Sequence, residues 1–144
     1  MGGKNANVIF ADADFEKAIK TTIRSSFLNQ GQVCLCGSRI FVEKSIYTKF
    51  RDALVEETKK LKVGNPLHEG TDQGAVVSKQ HMEKILSYLE LARAEGGTIL
   101  CGGGQAKLSG ENSRGYFIEP TVFVDVEDHM TIATEEIFGP VFCI

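Results

Sequence analysis

A chain of 144 residues is of single-domain length, and a chain of that size buries roughly two-thirds of the surface its unfolded form exposes. Its 16 basic and 19 acidic residues give a formal charge of -3 with no block or stripe of either sign, which argues against nucleic acid and anionic membrane as partners. No apolar run approaches the ~20 residues of a membrane span, and the N-terminus lacks the charged and apolar parts of a secretion signal, so the expectation is a soluble, cytoplasmic protein with no membrane partner.

The run "ANVIFAD" is short, apolar and ends in acidic residues, which predicts a buried strand over residues 6–10. Asp12 or Asp14 then caps a helix whose inward face is Phe15, Ala18, Ile19, Ile23 and Phe27, at helical spacing. That helix ends near Asn29 and Gly31, where a glycine tolerates the turn. After a loop of small and polar residues, "SRIFVE" reads as a second strand. Ser45 is the expected cap of a second helix carrying Ile46, Phe50, Ala53, Leu54 and Leu61 inward, with glutamates early and lysines late, stopped by Gly64 and Pro66.

The stretch "GNPLHEGTDQGAVV" is rich in turn formers and then apolar again, an ordered connection. Ser78 caps a third helix with Met82, Ile85, Leu86, Leu89 and Ala92 on one face, closed by Gly96 and Gly97. "TILCGGG" is a strand with a glycine-rich exit, and Lys107 to Arg114 form an exposed, irregular excursion. "GYFIEPTVFVDV" has strand composition interrupted by Pro120, which predicts a bent or edge strand. "EEIFGPVFCI" reads as a helix end or turn followed by strand.

Strands alternating with amphipathic helices predict an α/β fold, a three-layer αβα domain with a mainly parallel sheet. Chemistry in such sheets sits beyond the C-terminal ends of strands, where strand order reverses. The loop "NQGQVCLCGSR", Asn29 to Arg39, leaves a helix and enters a strand, so fold logic alone does not make it a site. It holds two of the four cysteines. Four are too few for a disulfide scaffold, and Cys34 and Cys36, at i and i+2, are poorly placed to bridge each other. Zinc ligands come in pairs about two to four residues apart; Cys101 and Cys143 stand alone and His68, His81 and His129 complete no set, so no metal is expected. Cys101 and Cys143 suit buried, inert thiols.

Four stretches, "GGKNANVIFADAD" from Gly2, "NQGQVCLCGSR" from Asn29, "GYFIEPTVF" from Gly115 and "EEIFGPV" from Glu135, resemble in order and separation the successive signatures of the NAD(P)-dependent aldehyde dehydrogenase superfamily. Cys-Leu-Cys, "RIFVEKSIY" and "KVGNPL" further resemble the branch of aminomuconic and hydroxymuconic semialdehyde dehydrogenases. The resemblance implies that Cys34 is the catalytic nucleophile and Cys36 a small thiol in an alanine-like slot. It implies a thiohemiacetal on Cys34 whose oxyanion takes hydrogen-bond donors, loss of hydride to a nicotinamide, and hydrolysis of the remaining thioester by an activated water. For the cofactor, NAD or NADP, it implies Glu136 on the nicotinamide ribose hydroxyls, Phe138 beside that ribose and ring, and His81 with Lys84, one helical turn apart, near the same ribose. Many relatives carry glutamine where His81 stands. The substrate implied is a small-molecule aldehyde, of the semialdehyde kind, and the parent enzyme a homo-oligomer.

In that family Gly-Gly-Lys follows Glu-Leu, the glutamate serving as general base; here Met1 stands in the leucine slot. The cofactor domain, the asparagine that supplies a second oxyanion donor and the segments beyond "EIFGPV" also have no counterpart. Residues 1–144 are therefore expected to form a single truncated catalytic domain of a longer dehydrogenase, inactive and without cofactor on its own. Cys34 follows a helix C-terminus, whose dipole opposes a thiolate, and Arg39 is expected to point away along its strand. Asn29 is expected to shape the turn. Two other classes stay open: a non-catalytic structural homologue, and a thiol-reactive or metal-binding module built on Cys34 and Cys36. Truncation is expected to expose apolar surface and a sheet edge, and hence to favour self-association.

Overall fold

A computed structural model describes residues 2–144; Met1, in the leucine slot, lies outside the described residues. Five strands, β1 (Asn5–Ile9), β2 (Gly37–Val42), β3 (Thr98–Cys101), β4 (Thr121–Val124) and β5 (Val141–Cys143), form one sheet in the order β1-β2-β5-β4-β3. All neighbours are parallel except β3 on β4. Two helices, α1 (Phe15–Phe27) and α2 (Tyr47–Lys59), cover one face. The others, α3 (Lys79–Ala94) and the single turn α4 (Thr131–Thr134), cover the opposite face. Strand residues alternate between the two cores: Val122 and Phe142 pack with α1 and α2, while Phe123, Val141 and Cys143 pack with α3 and α4. The three-layer αβα architecture is as expected from the alternation of elements.

The first helix forms where its pattern predicts. Asp14 is the cap, its Oδ1 accepting from the Lys17 N–H at 3.1 Å. Two buried polar side chains on its inner face are satisfied by the sheet: Asn7 Nδ2 donates to Thr22 Oγ1 at 3.0 Å, and Ser26 Oγ donates to the Gly37 carbonyl at 2.8 Å. These bonds fix the height of α1 over the first two strands, and so the start of the loop that follows it.

Two expectations fail for identifiable reasons. Ser45 does not cap α2; its hydroxyl donates to Glu43 Oε1 at 2.7 Å, and the helix starts at Tyr47 with no side-chain cap and no acidic residue in its first turn. Glu43 wins that hydroxyl because its carboxylate also accepts from the Ala11 N–H at 2.8 Å, tying together the exits of β1 and β2, and these hydrogen bonds hold the Glu43 carboxyl below its ordinary pKa. Pro120 does not mark an edge strand either. The residues before it make only an isolated bridge, Ile118 to Gln105, and β4 begins directly after the proline, buried throughout between β5 and β3. Placed just outside the ladder, Pro120 removes no sheet hydrogen bond.

The buried strand expected over residues 6–10 is instead a half-exposed edge strand, because the face of β1 and β2 opposite α1 and α2 carries no helix among the described residues. Val8 and Phe41, partners across the ladder, are 54% and 45% exposed, and Phe10 just beyond β1 is 62% exposed.

Candidate active site

Three of the four motifs meet at one end of the sheet, and the stretch from Gly115 contributes no residue there. Gly3 to Asn5 lead into β1, Val33 to Cys36 into β2, and Glu136 to Gly139 into β5; together they line a narrow cleft. This is the N-terminal end of three parallel strands, opposite to the end that sheet topology favours.

What builds the cleft is the turn between α1 and β2. Asn29, Gln30 and Gly31 hold φ of 51°, 57° and 70°, three successive left-handed residues. Side chains compensate the strain. Asn29 Nδ2 donates to the Gln32 carbonyl at 3.2 Å, Gln32 Oε1 accepts from the Val77 N–H at 3.0 Å, and Gln73 Nε2 donates to the Phe27 carbonyl at 2.8 Å. The Gln30 amide spans the Asn29 carbonyl and the Gly74 N–H. Both glutamines of Asn-Gln-Gly-Gln thus anchor the turn to segment 73–77. A Cβ on Gly31 would run into the carbonyl of Gly139, so the turn is also in contact with the approach to β5.

Beyond it, the Cys36 N–H donates to the Val33 carbonyl at 3.0 Å, closing a turn around Cys34 and Leu35. Cys34 is exposed; Cys36 is half-buried, and burial pushes its thiol above the ordinary value. Asn5 Nδ2 donates to the Cys34 carbonyl at 2.6 Å and to the Cys36 carbonyl at 3.2 Å. Arg39 does not run away along its strand as expected: its Nη2 donates to the carbonyl of Lys4, a cleft-lining residue, at 2.7 Å. Lys4 lies between Arg39 and Glu136, its ammonium pKa lowered by burial and further by Arg39, against opposing pulls from Cys143 and Glu136.

On the β5 side, Glu136 is half-buried and its carboxylate accepts no hydrogen bond among the described residues. Phe138 holds φ 60°. His81 Nε2 lies 2.6 Å from the Phe138 carbonyl, which can only accept, so Nε2 carries the proton. Lys84 Nζ donates to the Glu136 carbonyl at 3.3 Å, and the Tyr88 hydroxyl donates to Glu135 Oε2 at 2.6 Å, a bond that raises the phenol pKa. One face of α3, His81, Lys84 and Tyr88, therefore grips the segment 135–138.

Of the predicted site residues, Cys34, Glu136 and Phe138 share the cleft, while His81 and Lys84 stand behind it, bonded to the backbone of the other two. Sequence reasoning missed Asn5, Gln32 and Gln73; the available signal was polar side chains where a strand or a buried connection should be apolar. Among the described residues no group of three or more His, Cys, Asp and Glu is arranged to hold a metal. Burial pushes the Cys101 thiol up to about 11 and that of Cys143 in the same direction. A half-buried carboxylate that accepts no hydrogen bond among the described residues fits as an acceptor for the vicinal hydroxyls of a nicotinamide ribose.

The model described as "Aldehyde dehydrogenase family" matches residues 1–144. The 2-aminomuconic semialdehyde dehydrogenase of Mus musculus is 51% identical over 100% of this chain and 30% of its own length. The betaine aldehyde dehydrogenase of Brucella anthropi is 49% identical over 100% of this chain and 29% of its own. Among solved structures, betaine aldehyde dehydrogenase from Staphylococcus aureus in complex with NAD+ superimposes with a TM-score of 0.94 at 44% identity, covering 99% of this chain and 28% of that one. The chain thus spans under a third of the length of the relatives it matches. With a full-length family match, close relatives and a shared fold in agreement, the chain belongs to the aldehyde dehydrogenase family.

Proposed function

We propose that residues 1–144 are the cysteine-bearing part of the catalytic domain of a longer NAD- or NADP-dependent aldehyde dehydrogenase, oxidising a small-molecule aldehyde of the semialdehyde kind to its carboxylic acid. The observation that carries this reading is the shared cleft of exposed Cys34, Phe138 and Glu136, whose carboxylate accepts no hydrogen bond among the described residues, in a chain of this family. The Cys34 thiolate forms a C–S bond to the aldehyde carbon, and the carbonyl oxygen becomes an oxyanion. The Cys34 N–H donates to no acceptor among the described residues and is available to that oxygen. Collapse of the oxyanion expels a hydride and leaves a thioester on Cys34. Water then attacks the thioester carbon and the thiol leaves. A bound nicotinamide cofactor supplies the hydride acceptor.

Glu136 receives the ribose hydroxyls, Phe138 flanks that ribose, and His81 and Lys84 serve the same contact by fixing the backbone carbonyls of both. In this reading the parent is a cytoplasmic homo-oligomer, and the 144-residue chain alone is inactive. The test is NADH production from an aldehyde and NAD+. A longer protein containing this sequence should produce it, and Cys34→Ser should abolish it. Undiminished NADH with Cys34→Ser would remove Cys34 from the mechanism, and NADH from the isolated chain would refute its inactivity.

A further inference from the structure

The cysteine turn is held from below by one side chain. We propose that Asn5 is a positioning residue for the nucleophile: by donating both hydrogens of its carboxamide nitrogen to the carbonyls of Cys34 and Cys36, it sets which of the two thiols faces the cleft. This rests on Cys34 being the nucleophile, and it concerns how that residue is aimed.

The Asn5 nitrogen has two N–H bonds and meets two acceptors, at 2.6 Å and 3.2 Å. Both carbonyls are therefore drawn to one side of the turn. The Cys34 side chain is left exposed and that of Cys36 turns inward, its Sγ 3.8 Å from the Leu28 carbonyl. The reach from β1 depends on an irregularity in the ladder. Asn5 pairs with Gly37 but Ala6 with Arg39, so Ser38 is passed over and the strand shifts register directly after Asn5. Gly3 completes the arrangement. A Cβ there would lie 2.7 Å from the Cys34 carbonyl and 3.3 Å from Asn5 Nδ2, so only glycine admits the carbonyl to the amide.

The bond sense matters more than the shape. Asn5→Asp keeps the outline of the side chain and replaces two donors by a carboxylate facing two carbonyls. Asn5→Ala removes the tie without repulsion. The measurement is alkylation of the 144-residue chain by iodoacetamide, with the modified site read by peptide mass. Wild type should label Cys34 well ahead of Cys36. In N5D and N5A the Cys34-to-Cys36 rate ratio should fall about tenfold, the loss expected for two hydrogen bonds that orient one turn. Cys101 and Cys143, half-buried and buried, should stay protected in both.

An unchanged ratio would overturn the proposal. So would labelling of all four cysteines together, which would make Asn5 a support of the whole fold. In the longer enzyme with aldehyde and NAD+, N5D should lower kcat about tenfold at constant KM for the aldehyde. A raised KM with unchanged kcat would count against positioning. If Cys34→Ser leaves activity intact, the proposed chemistry fails while the labelling ratio still reports on the clamp.

Discussion

Three left-handed residues in a row set the geometry of the cysteine loop, and two of them are not glycine. Gly31 is the one that tolerates no replacement: an alanine there meets both the positive φ and the carbonyl of Gly139. Gly31→Ala is expected to cost about 2 kcal/mol or more, read from denaturant unfolding. Cys101 makes a second prediction, about pH. Its folded pKa of about 11 lies above the ordinary thiol value of 9.0, so between those values the unfolded chain releases a proton that the folded chain keeps. Its contribution to stability is whole below pH ~9 and falls as pH rises toward ~11. Lys4 runs the other way, because its lowered pKa makes the unfolded chain the better proton binder and adds stability as pH climbs toward 10.5. Cys101→Ala should therefore flatten the alkaline loss seen in pH-dependent melting. A variant that melts with the wild-type alkaline slope would contradict this.

Helix α3 is the element on which the β5 side of the cleft depends. It is capped by Ser78, whose Oγ accepts from the His81 N–H at 3.1 Å, and Ser78→Ala should cost about 1 kcal/mol in thermal or denaturant unfolding. His81→Ala removes the donor to the Phe138 carbonyl. Faster hydrogen exchange over residues 135–139, with the rest of α3 unchanged, is the expected sign that the helix holds this segment. His81→Gln, which keeps an N–H donor, should restore much of the protection. The helices α1 and α3 were legible because cap and apolar spacing agree in each. The start of α2 was not, since the choice of Ser45 between capping and Glu43 depends on a tie to Ala11 in a different connection. Pro120 misled for a similar reason: one residue's offset decides whether a proline interrupts a ladder or precedes it. Cys34, Glu136 and Phe138 were legible only through motifs. Asn5 and the glutamines showed only as polar residues in apolar settings, because the partner of a hydrogen bond ~30 or more residues away leaves no local pattern.

At the scale of the molecule, the β1–β2 part of one sheet face carries no helix among the described residues. Val8, Phe10 and Phe41 lie exposed beside or on the edge strand β1. The 144-residue chain should therefore self-associate at high concentration in light scattering, and Val8→Lys with Phe41→Lys should reduce it; a monodisperse wild-type monomer would rule the face out as adhesive. The sheet's order carries another consequence. β5, farthest along the chain, sits in the middle and meets β2 through the single pair Arg39 and Cys143, whereas β1, α1 and β2 are contiguous. During synthesis the thiol loop leaves the ribosome long before the residues that form the opposite wall, a delay on the order of ten seconds at ~5–20 residues per second. A nascent chain thus carries its most exposed cysteine without the opposite wall of the cleft while the residues between them are made, which makes it a target for oxidants and electrophiles before that wall is in place.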